Sequence, residues 1–165
     1  MMGDRDPRGE QPSGVSVVTA LTVGWVSFAS LAILALGMLS YFAGIDVISA
    51  EGVYRWAGIT AMIAAIAGFA GMAAWTLRAA HPSYVSALLI ALVATLVHLV
   101  VMTLAVLIGG ETTVGAITAM SMLVTQGASL AIFLAAVVAA WIAIALRRTR
   151  AGRPHWPWED DAGEE

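Results

Sequence analysis

The chain is 165 residues long, 60% hydrophobic and 12% charged, with a net charge of −3 at pH 7, no cysteine and, among its eight basic residues, only arginine. A soluble domain spreads about a quarter of its residues as charge over its surface, whereas here only Asp46, Glu51, Arg55, Arg78 and Glu111 are charged between Val15 and Leu146, each of them between long apolar runs. This excludes a water-soluble fold, a disulfide scaffold, thiol redox chemistry and cysteine metal sites, and the charge balance does not suggest a nucleic-acid partner.

Residues 1–15 are polar, with Pro7, Pro12 and three glycines. Such a segment cannot bury enough apolar surface to fold, and it reads as a disordered N-terminal tail. Residues 16–146 read as one domain of four transmembrane helices, since about 20 apolar residues of helix cross a bilayer core of about 30 Å. The first run, Ser16 to Phe42, is longer than the roughly 7–15-residue apolar region of a cleaved signal peptide and is expected to be retained. The second spans about 56–77. The third, 84–108, is entered through His81-Pro82-Ser83, where proline costs no helical hydrogen bond and Ser83 can cap. The fourth, 114–146, would reach about 50 Å as one helix, so it is expected to tilt or project into the interface. Residues 147–165 form a C-terminal tail, first basic (Arg147, Arg148, Arg150, Arg153), then His155-Trp156-Pro157-Trp158, then acidic.

Arginine placement sets the expected orientation. Arg5, Arg8, Arg78 and the four tail arginines fall on one side of an alternating four-span arrangement, and Arg55 alone on the other. Both termini are therefore expected in the cytoplasm of a bacterial cell, with the spans in its plasma (inner) membrane. Trp25, Trp75, Tyr84 and Trp141 fall near the inner ends and Tyr41, Tyr54 and Trp56 near the outer ends, as aromatic belts require.

Lipid supplies no hydrophobic force between helices, so small residues must let backbones approach. On the second run Ala57, Ala61, Ala64, Ala65 and Gly68 share one face, expected to pack on protein, opposite Ile59, Met62, Ile63 and Ile66. The first run offers a seam of Ser16, Thr19, Val23, Ser27, Ser30, Leu34 and Gly37. The third offers Ala87, Ala91, Ala94, His98 and Ala105, and the fourth Thr118, Ser121, Thr125 and Ser129. One seam per helix and short loops give an all-α, up-down-up-down four-helix membrane bundle. Ile59-Thr60-Ala61-Met62 is echoed by Ile117-Thr118-Ala119-Met120, a faint sign of a duplicated hairpin.

Two polar residues lie deep in the spans. His98 is ten residues before Ile108, and Gln126 ten after Ala116, which places both about 15 Å below the outer interface. A hydrogen bond between them is expected, with Thr95 or Thr125 nearby, contributing about 0.6–2 kcal/mol. Imidazole titrates near neutral pH and can carry protons, but no Asp or Glu lies within a span as a partner. That absence also argues against the small multidrug antiporters, which rely on a membrane-embedded glutamate. A b-type haem needs a second axial ligand beside His98, such as Met102 or a second copy's histidine, and three scattered histidines make no zinc site. No cofactor is expected.

No Gly-x-Ser-x-Gly setting and no Gly-x-x-x-x-Gly-Lys loop is present, so no enzymatic activity is expected. The arginines Arg147, Arg148, Arg150 and Arg153 suit anionic lipid. Trp156 and Trp158 suit either the headgroup region or a partner protein. The ending RPHWPWEDD after an arginine-rich helix end resembles the tails of small Ala-rich four-span membrane proteins of unknown function from actinobacteria, which implies the layout and no activity. The leading expectation is a non-enzymatic accessory or interaction subunit of a membrane complex. The alternative is a small homo-oligomeric transporter or channel with His98 and Gln126 in its path, and the third reading is a haem-binding or other redox protein.

Overall fold

The computed structural model describes residues 15–44, 53–79 and 82–149. They form five helices: α1 Val17–Ala43, α2 Val53–Leu77, α3 Ser86–Ile108, α4 Thr113–Thr125 and α5 Ala128–Arg148. Of these, α1, α2, α3 and α5 are long and apolar enough to cross a membrane, and α4, at 13 residues, is not. The tails at 1–14 and 150–165, with Arg150, Arg153, Trp156 and Trp158, lie outside the described residues.

Local chemistry sets the helix starts. Ser16 Oγ accepts from the Thr19 amide at 3.0 Å, and Thr112 Oγ1 from the Gly115 amide at 3.1 Å, which satisfies one orphan donor each at α1 and α4. The third helix begins two residues later than its sequence suggests. Ser83 Oγ accepts from the Val85 amide at 3.3 Å and holds a turn that leads into Ser86.

Helix contact depends on small side chains. Ala57, Ala61 and Ala65 are buried on α2 while Ile59 and Ile63 lie exposed, as expected; Met62 and Ile66 pack partly against the core. On α3 the whole expected face of Ala87, Ala91, Ala94, His98 and Ala105 is buried. On α5 the alanines at 136, 139, 140 and 143 make the contact surface.

The expected seam of α1 is corrected. Ser16, Thr19, Val23, Ser30, Leu34 and Gly37 are exposed and Ser27 is half-buried, whereas Ala20, Gly24, Phe28 and Ala32 are buried. Two neighbours decide this. Phe28 stacks on Phe69 of α2 with ring centroids 4.7 Å apart, worth about 0.5–1.5 kcal/mol beyond the area it covers. A Cβ at Gly24 would sit 2.8 Å from Ala143 Cβ, so only glycine lets α1 and α5 come this close.

The largest correction concerns the fourth run, which is two helices and not one. The α4 ladder ends with the Gln126 amide on Met122 O at 2.8 Å and the Gly127 amide on Val124 O at 3.3 Å. Gly127 then takes φ 87°, a left-handed conformation that costs a residue with a Cβ about 1–2 kcal/mol. The stripe of Thr118, Ser121 and Thr125 is consequently exposed on α4, while Ser129 is buried across the break. The echo of α2 in α4 ends there too: 25 residues of helix against 13.

Arg147 ties one end of the assembly together. Its Nε donates to Leu77 O at 3.3 Å and its Nη1 to Val15 O at 3.2 Å. Beside it the Arg148 guanidinium lies 4.7 Å from the Tyr84 ring centroid, and Tyr84 lies 5.9 Å from the Trp141 ring. The start of α1, the end of α2, the approach to α3 and the end of α5 therefore meet. Trp25, Trp75, Tyr84, Trp141, Tyr41 and Trp56 are all exposed, as belt residues must be.

Two outcomes follow for the detergent-solubilised protein. Gly24→Ala forces α1 from α5 and lowers stability by about 1–3 kcal/mol, whereas Gly37→Ala, where a Cβ meets nothing within 4 Å, leaves the thermal midpoint unchanged or raises it. Arg147→Lys, whose single ammonium cannot serve both carbonyls in the guanidinium geometry, costs about 1 kcal/mol in the same measurement.

Candidate functional site

The deep polar residues do not arrange themselves as their sequence positions suggest. His98 is 5% exposed, carried on the alanine face of α3. Val97, one residue earlier, faces α2, where a Cβ added at Gly68 would lie 3.3 Å from Val97 Cγ2. The 100° step to His98 takes the imidazole round into the interior, and α3 packs on both α2 and α5. Nδ1 of His98 has no hydrogen-bond partner.

Gln126 caps the end of α4 with its backbone amide, and its side chain is exposed. The expected His98–Gln126 bond is therefore not formed. Thr95 is buried but donates to Ala91 O at 2.9 Å on its own helix. Thr125 is exposed and donates to Ser121 O at 2.8 Å. Neither hydroxyl reaches for the imidazole, because a carbonyl one turn back is always within range of a threonine in a helix.

The structure also buries Ser129. It is 9% exposed in the first turn of α5, and its Oγ, like His98 Nδ1, is buried without a partner. Gly127, as the N-cap of α5, offers no side chain to its first amides. The Ala131 amide makes the first helical bond of α5, to Gly127 O at 2.9 Å, so the amides of Ala128, Ser129 and Leu130 have no acceptor within the helix.

Sequence reasoning placed Ser129 in a hydroxyl stripe and passed over Gly127. A signal was present: a glycine inside an apolar run too long for the bilayer is a helix stop as well as a packing residue. Of the haem ligands considered, His81 and His155 lie outside the described residues, and Met102 is half-buried. Of the four tail arginines considered as lipid or partner contacts, Arg147 is engaged by Leu77 and Val15, and Arg148 by Tyr84.

Because His98 and Gln126 do not meet, a double-mutant cycle of His98→Ala and Gln126→Ala should be additive to within about 0.5 kcal/mol in thermal unfolding. Ser129→Ala removes a buried hydroxyl that no protein group satisfies, and should leave stability unchanged or slightly higher.

No curated protein and no solved structure matches the chain. Residues 13–165 match the family of unknown function DUF6121, and the chain belongs to that family.

Proposed function

We propose that this protein is a non-enzymatic accessory subunit of a membrane complex, holding a partner membrane protein along α4. In this reading α1, α2, α3 and α5 cross the plasma membrane alternately up and down. Both termini lie on the cytoplasmic side, supported by seven arginines near one set of helix ends against one near the other.

The observation that carries the reading is the open face of α4. Only Ala116 of this helix is buried. The face carries Thr118, Ser121 and Thr125, and the exposed Gln126 amide follows directly at the break. The hydroxyls bond within their helix, but lipid gives the Gln126 amide no partner, whereas a neighbouring helix with a polar side chain does.

A homo-oligomeric transporter or channel is the second reading, favoured by the unpartnered His98 Nδ1. Against it, Thr60, Thr76, Thr95, Thr103, Thr118, Ser121 and Thr125 all donate to carbonyls of their own helices, which leaves few hydroxyls pointing along a path.

The test is a photo-crosslinking residue placed at Gln126 or Ser121, compared with Ile63 on the opposite side of α2, in native membranes. Extraction in mild detergent and mass spectrometry follow. One stoichiometric membrane-protein adduct from α4 and none from Ile63 is expected. Adducts only between copies of this chain would transfer the proposal to the oligomeric transporter, and lipid adducts alone would end it.

A further inference from the structure

One end of the bundle gathers positive charge from two helices. Arg78 lies in the turn that closes α2, where the Ala79 amide donates to Thr76 O at 3.2 Å, and it follows directly on Leu77, whose carbonyl accepts from Arg147 Nε. Arg147 and Arg148 end α5. Among the described residues the one carboxylate is that of Glu111. It lies beyond the far end of α3 from Tyr84, and the 23 residues of that helix span about 35 Å. The three arginines therefore have no described carboxylate within reach of an ion pair.

Two of the three are already held in place. Arg147 donates two of its N–H groups to Leu77 O and Val15 O, and a guanidinium has five. The Arg148 guanidinium lies 4.7 Å from the Tyr84 ring centroid, and Arg148, like Arg78, is exposed to its surroundings. A side chain ordered in advance loses less freedom when it takes up a ligand.

The surroundings of this charge select the ligand. Trp75, Tyr84 and Trp141 are all exposed at the same end, the last two with ring centroids 5.9 Å apart, as rings at headgroup level are. The four helices that bring these groups together are each long and apolar enough to cross a membrane. A soluble anion or an acidic peptide would answer the charge and leave the apolar rings and helix ends uncovered. A phospholipid answers both, because its phosphate accepts paired hydrogen bonds from guanidinium groups and its acyl chains cover apolar surface. We propose that this end of the bundle binds an anionic phospholipid, with the headgroup phosphate on Arg78, Arg147 and Arg148 and the acyl chains along the apolar surface beside Trp75 and Trp141. Such a lipid bridges α2 and α5, the helices that Arg147 already joins, so it binds the assembled bundle and stabilises it by mass action.

The test uses the full chain, purified in mild detergent and titrated with phosphatidylglycerol or with phosphatidylcholine of the same acyl chains. Retained lipid is read by native mass spectrometry. Phosphatidylglycerol is expected to bind at least about tenfold more tightly than phosphatidylcholine and to raise the thermal midpoint where phosphatidylcholine does not. Arg78→Gln and Arg148→Gln should each weaken phosphatidylglycerol binding about fivefold, the effect of one charge near a membrane surface. Arg55→Gln, which removes the same charge from the other end of α2, should leave it unchanged. Arg78 and Arg148 are exposed, so both variants should keep the thermal midpoint of the lipid-free protein, which separates lost binding from misfolding. Equal retention of the two lipids overturns the proposal, as does equal weakening by Arg55→Gln, which would mean net charge alone, or undiminished binding in both Arg78→Gln and Arg148→Gln. Equally tight binding of glycerophosphoglycerol, the headgroup without acyl chains, overturns it too. The crosslinking test of α4 does not involve these residues, so the partner reading and the lipid site stand or fall separately.

Discussion

The structure depends on how closely alanine and glycine faces let helix backbones approach. Within a bilayer, lipid tails are as apolar as leucine, so burying leucine between helices gains little; contact distance and packing have to supply the attraction. The Gly24–Ala143 approach is the tightest expression of this. The alanines of α2, α3 and α5 repeat it along the assembly, and the bulky residues Ile59, Ile63, Leu92, Leu96, Leu130 and Leu134 turn outward. Phe28 and Phe69 are the exception, two large rings stacked between α1 and α2.

That packing has a consequence for polar groups. A close-packed alanine interface has no room for side chains to reach across, so hydroxyls settle on carbonyls of their own helices, as Thr76 does on Met72 and Thr103 on Leu99. A histidine has no such local partner. His98 is held in the alanine face of α3 with Nδ1 unsatisfied. A break within an apolar stretch is tolerated where its backbone is buried in protein or meets a polar group, and Ala128 and Ser129 are both buried.

The end at which the arginines gather is built differently. There the carbonyl of Leu77 ends the α2 ladder and that of Val15 precedes α1, and Arg147 closes both with a planar, multiply donating group, while Arg148 lies on the Tyr84 ring. These residues read in sequence as lipid contacts. The structure engages two of them in joining α1, α2, α3 and α5, so charge placement and helix assembly at this end are served by the same side chains.

Hydropathy alone determined the first three long apolar helices, their approximate bounds and the presence of a further apolar run, because the length needed to cross a bilayer and the cost of placing charge within it leave few alternatives; it did not show that this last run breaks at Gly127. Regular small-residue spacing was enough for the buried faces of α2 and α3, where alanines sit on one side and branched residues on the other. It failed on α1, where two stripes a single residue apart are both plausible and the choice rests on Ala143 and Phe69, more than forty positions distant in the chain. The burial of His98 on the alanine face of α3 was legible from residue spacing, but its hydrogen bonding was not. Counting assumed one continuous helix through Gln126, and the left-handed Gly127 rotates everything before it out of register with everything after. Only the tertiary structure could place Gln126 outside and Ser129 inside, because a glycine's choice between helical and left-handed backbone is nearly neutral locally and is decided by what packs on either side.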